Sequence, residues 1–206
     1  MKFTLKDYQD HAVAQVLDRL KKARKRWHED GEKNAFSLTA TTGAGKTVMA
    51  AAVFEALFFG SDDYEFEPDP GAVVIWFSDD PSLNEQSRWR LQEAADKLTT
   101  SDLVTVENTF SREVFEPGKV YFLNTQKLGK NSMLVRGADP SDQGVLTIDG
   151  TPIMPDGRSH TIWDTIRNTI EDPDLTLYLV LDEAHRGMRD AVKGTQTMVT
   201  RLINGQ

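Results

Sequence analysis

The sequence predicts an α/β fold with a mostly parallel central sheet and helices on both faces. Three observations carry this. Residues 72–77 (Ala-Val-Val-Ile-Trp-Phe) form a continuous apolar run of strand length, as expected of a parallel strand buried on both sides. Residues 175–181 (Leu-Thr-Leu-Tyr-Leu-Val-Leu) form a second such run. Segments of helical period alternate with these runs, which gives right-handed crossovers and a ligand edge beyond the carboxyl ends of the strands.

In chain order, residues 3–29 begin as a strand-like entry and become a helix, with Ala12, Val13, Val16, Leu17 and Leu20 at helical spacing. Its end, Lys21-Lys22-Ala23-Arg24-Lys25-Arg26, reads as a solvated helix terminus complementing the macrodipole, or else as a phosphate-contacting patch. A turn at Gly31 to Asn34 precedes the first expected core strand, 35–40. A helix over about 45–59 follows, then a surface loop from Ser61 to Gly71 with five acidic residues and two prolines. After strand 72–77, Ser78-Asp79-Asp80-Pro81 ends the run, and Asp80 or Ser82 caps a helix reaching about Leu98. Shorter strands are expected near 103–107 and at 119–124. Residues 129–160 have little periodicity and read as an irregular insertion with a small hairpin around Val145–Ile153. A helix from about His160 to Ile170, the strand 175–181 and a helix over about 188–203 complete the chain.

Composition narrows the function classes. The 206 residues, 39% hydrophobic and 27% charged, suit a globular protein of one or two domains. No apolar run approaches the ~20 residues of a membrane span, and the N-terminus lacks an apolar signal segment, so a cytoplasmic protein is expected. The lack of cysteine removes disulfides, Cys-ligated zinc and thiol catalysis. A formal net charge of −8 argues against strong nucleic-acid affinity of the surface as a whole, while leaving room for a local positive groove.

Two stretches carry chemistry. Ala40-Thr41-Thr42-Gly43-Ala44-Gly45-Lys46-Thr47 lies between an expected strand and an expected helix, the context of a phosphate-binding loop. Backbone N–H groups over Thr42 to Thr47 wrap a phosphate, the helix start adds positive potential, Lys46 reaches the β- and γ-phosphates, and the Thr47 hydroxyl ligates Mg²⁺. The first position of the usual pattern is glycine; here it is Ala40. The second stretch is Asp182-Glu183-Ala184-His185, delivered by the apolar strand 175–181. Asp182 there holds the Mg²⁺, and Glu183 positions and polarises the attacking water. A cation and a water-orienting carboxylate are what hydrolysis of a triphosphate requires.

With these residues in place the chain resembles superfamily-two helicases and translocases, and Asp182-Glu183-Ala184-His185 matches their DEAH box. Phe3-Thr4-Leu5-Lys6-Asp7-Tyr8-Gln9 resembles the Q motif, which implies that Gln9 reads the adenine edge. The run from Ser78 to Gln86 resembles motif Ia, with Asp79 and Asp80 unfavourable beside phosphates but backbone N–H contact open near Ser78. Phe122-Leu123-Asn124-Thr125-Gln126-Lys127-Leu128 resembles the next strand-end motif, making Thr125, Gln126 and Lys127 candidate nucleic-acid contacts. The finer resemblance is to the Res subunit of type III restriction enzymes, through Asn124 to Leu128, the insertion, Ile162-Trp163-Asp164 and the DEAH box continuing to Met188.

The resemblance implies a RecA-like P-loop NTPase fold, ATP and Mg²⁺ as cofactors, DNA as partner, and His185 as the link from the γ-phosphate site to a second RecA-like domain. Residues 1–34 are then a Q-motif helix region and 35–206 the first RecA-like ATPase domain. The chain ends about 20 residues after the DEAH box, so an N-terminal fragment of a longer motor is expected, slow or inactive alone for want of a transition-state arginine. A methyltransferase or specificity subunit is a further implied partner. Two other readings stay open: a different phosphate-loop enzyme such as a small-molecule kinase, and a binding module using nucleotide as a switch. Glu183 argues against a pure switch, which needs no water-orienting carboxylate.

Overall fold

The computed structural model describes residues 1–78, 80–129, 132–136, 147–148, 151–152 and 159–182. The expected helix 188–203 lies outside them, as do Asp79, Glu183, His185 and most of the 129–160 insertion. Two compact units divide the chain: Met1–Ala72 with Glu85–Val104 and Pro117–Val120, and Val73–Asn84 with Thr105–Glu116 and Tyr121–Gln206.

The first unit is built on two helices. Helix α1 (Asp7–Asp30) buries Gln9, Val13 and Leu17, one stripe of its surface, against α2 (Lys46–Phe59). Its basic end is largely solvated: Lys22 pairs with Asp18 at 2.6 Å and Lys25 with Glu29 at 3.8 Å, while Arg24 lies 5.3 Å from the Phe66 ring centroid. Helix α2 is apolar all round and buried from Ala51 to Leu57, as an interior helix must be. Only Glu55 interrupts that run, and its carboxylate is buried too. It accepts hydrogen bonds from the Met1 ammonium at 2.7 Å, from Lys97 N–H at 2.6 Å and from Asp96 N–H. Burial pushes the Glu55 carboxyl up, but these donors outweigh burial and hold it below the usual value.

Among the described residues a four-stranded parallel sheet runs in the order β2 (Leu103–Thr105), β3 (Lys119–Asn124), β1 (Ala72–Ser78), β6 (Thr176–Leu181). Every residue of β1 is buried, in agreement with its unbroken apolar sequence and inner position. Among the described residues strand β6 ends this order, and it is only half-buried beyond Thr176. The expected strand 35–40 is not formed: these residues take no regular structure, and Phe36 and Leu38 are exposed. Apolar and β-prone residues suggested a strand here, but such residues gain little from an extended conformation without a ladder to join. The strand-like entry before α1 is likewise irregular, and Lys2 N–H donates to the Ala94 carbonyl at 2.9 Å, at the end of α3 (Pro81–Ala94).

In the second unit, α6 (Ile162–Glu171) starts at a capping box in which the Thr161 hydroxyl accepts from Asp164 N–H and the Asp164 carboxylate accepts from Thr161 N–H. Thr169 on its buried face accepts from Phe115 N–H at 2.9 Å, and Phe115 packs at a tilt against Tyr121 with centroids 4.4 Å apart. Burial pushes the Tyr121 phenol up to about 12. Short helices α4 (Thr125–Leu128) and α5 (Met133–Arg136) follow β3. The expected hairpin exists as β4 (Thr147–Ile148) paired antiparallel with β5 (Thr151–Pro152). Strands and helices in this arrangement form a RecA-like α/β fold. Among the described residues no helix is long and apolar enough to cross a membrane.

Candidate nucleotide and strand-end sites

The candidate phosphate loop in the first unit is shaped by two glycines. Gly43 and Gly45 adopt φ of +83° and +81°, a left-handed conformation costly for any residue with a Cβ. Between them Ala44 N–H closes a turn on the Thr41 carbonyl at 3.1 Å. Gly45 is the N-cap of α2 and offers no side chain to the helix's first N–H groups. A helix start without a capping side chain, with a cation in its first turn, suits an anion. Lys46 folds back so that its ammonium donates to the Ala40 carbonyl at 3.1 Å. Thr42 is exposed at the turn and Thr47 half-buried in the first turn of α2. An open cleft of about 660 Å³ follows this loop, lined by Tyr8 and residues 39–44.

The start of α1 closes on that loop. Gln9, only 8% exposed, donates from Nε2 to the Ala44 carbonyl at 2.9 Å and accepts Lys6 N–H on Oε1 at 3.0 Å. The Tyr8 hydroxyl donates to the same carbonyl at 3.1 Å. The Gln9 amide is therefore engaged with its own chain at both ends. Of the first-unit residues expected to serve nucleotide, the fold brings together Gln9, Ala44 and Gly45.

In the second unit the carboxyl ends of three strands collect the remaining candidates that are among the described residues. Asp182 directly follows β6, and its N–H donates to the Phe77 carbonyl of β1 at 2.9 Å. Ser78 ends β1, but its side chain is buried: the hydroxyl lies 2.9 Å from the Asp80 carbonyl and 2.8 Å from Asn84 Oδ1, two acceptors sharing one proton. Asn84 in turn donates to the Leu123 carbonyl of β3 at 2.8 Å. Asn124 caps α4 by accepting Lys127 N–H at 3.1 Å. Gln126 is exposed and Thr125 half-buried. The Lys127 ammonium donates to Asn108 Oδ1 at 2.9 Å and pairs with Glu107 at 3.5 Å. Sequence reasoning assigned no role to Tyr8, Glu55 or Asn84. A lone carboxylate inside an apolar helical run was the available signal for Glu55; exposed Tyr8 and one asparagine in the first turn of α3 offered none.

Compared with protein-family models, residues 2–204 match the family described as type III restriction enzyme, res subunit. No curated protein and no solved structure gave a significant match.

Proposed function

The chain belongs to the type III restriction enzyme res subunit family, a superfamily-two helicase N-terminal domain family, and from that premise we propose that it binds ATP as the first motor domain of an ATP-dependent DNA translocase or helicase. The observation that carries this reading is the loop ending at Lys46: two left-handed glycines, an uncapped helix start and an ammonium in the helix's first turn. Lys46 and the loop N–H groups take the phosphates, Thr47 and Asp182 hold Mg²⁺, and Glu183 orients the attacking water. Gln9 reads adenine on leaving its Ala44 contact. Mg²⁺ held by these residues would supply neutralisation of the charge developing on the transferred phosphoryl group.

DNA is the substrate moved. Thr125, Gln126 and Lys127 stand at the carboxyl end of β3, and backbone near Ser78 at that of β1. Side-chain contact from Ser78 itself is disfavoured, since its hydroxyl is spent inside the protein. His185 couples the phosphate site to a second RecA-like domain, closure of which on ATP drives each step. A cytoplasmic location and assembly with a methyltransferase or specificity subunit belong to the same reading.

Titration with Mg-ATP, and with Lys46→Ala as comparison, tests this. The wild-type chain binds, and the variant loses binding by at least an order of magnitude. Equal affinity in the two would remove Lys46 from the site and the reading with it.

A further inference from the structure

We infer that Tyr8 is a positioning residue for the phosphate end of the nucleotide, acting through the Ala44–Gly45 peptide. The inference rests on the phosphate-loop reading above and deepens it.

The Ala44 carbonyl accepts two hydrogen bonds, from the Tyr8 hydroxyl at 3.1 Å and Gln9 Nε2 at 2.9 Å. A carbonyl oxygen has two lone pairs, so both of its acceptor sites are filled from α1. The Ala44 C=O and the Gly45 N–H belong to one planar trans peptide and point in opposite directions. Drawing the carbonyl towards α1 therefore turns the Gly45 N–H away from α1. Gly45 has no Cβ and sits at φ +81°, where its peptide rotates at little steric cost. Something outside the loop must fix that rotation, and the two donors do so.

Gln9 alone does not suffice in the motor's cycle. If its amide turns to adenine, it leaves the carbonyl, and the Tyr8 hydroxyl is the donor that remains. Tyr8 is half-exposed, so its ring contributes little to the core and its hydroxyl can be removed without unfolding the protein. Its contribution is expressed at the phosphates and not by contact with the base.

The test uses Tyr8→Phe in the full chain, with Mg-tripolyphosphate, Mg-ATP and adenosine as probes. Loss of the hydroxyl weakens tripolyphosphate roughly two- to fivefold, as for one neutral hydrogen bond, weakens ATP at least as much because Gln9 then leaves the carbonyl, and leaves adenosine unchanged. The Gly45 amide resonance of the ligand-free chain shifts, since it reports hydrogen bonding at the preceding carbonyl. Weaker ATP with unchanged tripolyphosphate would place Tyr8 at the base and overturn the inference. So would an unmoved Gly45 resonance. Lys46→Ala separates the two levels: tripolyphosphate binding that is absent from the wild type, or undiminished in this variant, refutes the phosphate-loop reading itself, and the Gly45 resonance still decides the role of Tyr8.

Discussion

Gln9 and Gly45 are fitted to one another: a Cβ added to Gly45 would stand 2.5 Å from Gln9 Nε2, closer than real side chains approach. Gly43 offers the contrast, with φ +83° and nothing within 4 Å of its missing Cβ. Gly43→Ala thus meets backbone strain alone, about 1–2 kcal/mol. Gly45→Ala meets the same strain and expels the Gln9 amide from the Ala44 carbonyl, for a total of roughly 2–4 kcal/mol. Urea denaturation of both variants, repeated in a Gln9→Ala background, checks this. The extra cost at Gly45 shrinks once Gln9 is gone; an unchanged difference would show that the contact is incidental.

Glu55 makes stability depend on acid. Its folded pKa lies below the ordinary 4.5, so the unfolded chain binds the proton more readily than the folded one. Its contribution is accordingly full above the unfolded value and lost as pH falls below 4.5 through the folded value. Glu55→Gln keeps the shape but removes the charge opposite the Met1 ammonium, at a cost of about 1–3 kcal/mol near neutrality. Thermal melts from pH 7 to pH 3 should converge for wild type and variant at the acid end. Parallel curves over that range would show that the carboxylate is not titrating with folding.

Much of this molecule is readable from residue order because its signals are local. The apolar run of β1 needs only its own composition to be recognised as an inner strand, and the paired glycines before Lys46 announce the loop. The DEAH residues announce the end of β6, although of these only Asp182 is among the described residues. Where reading failed, the deciding partner was distant. Residues 35–40 include apolar and β-prone side chains, yet a strand exists only on a ladder, and no local rule says whether one is offered. The tie at the Ser78 side chain was illegible for the same reason: its hydroxyl is held by Asn84, six residues on, and by the fold that brings Asn84 to Leu123.

Asn84 ties the carboxyl ends of β1 and β3, through Ser78 on one side and the Leu123 carbonyl on the other. It is 5% exposed, so its loss leaves buried polar groups unpaired. Asn84→Ala should cost about 2–3 kcal/mol, and Ser78→Ala about 1 kcal/mol, because Asn84 keeps its Leu123 bond in the second case. The double variant should cost less than the sum, since the two side chains share one bond. Chemical denaturation of the three variants supplies the cycle, and strict additivity would break the proposed link.

Lys127 bears on strand binding through the partners that hold it. Its ammonium is shared between Asn108 at 2.9 Å and Glu107 at 3.5 Å, and its side chain is 22% exposed. Binding a DNA phosphate requires it to leave Glu107, so the carboxylate competes with the strand. Glu107, with a side chain 69% exposed, contributes little to folding, and its replacement is tolerated. Lys127→Ala should weaken single-stranded DNA binding and lower the slope of log affinity against log salt by about 0.7, the value for one phosphate contact on a single strand. Glu107→Gln should do the reverse to affinity, strengthening binding most at low salt, where the competing ion pair is least screened. Fluorescence anisotropy with a labelled oligonucleotide across a salt series measures both. If Lys127→Ala left the slope unaltered, Lys127 would be a structural partner of Glu107 and Asn108 alone, and the contact would have to come from Thr125, Gln126 or backbone N–H groups.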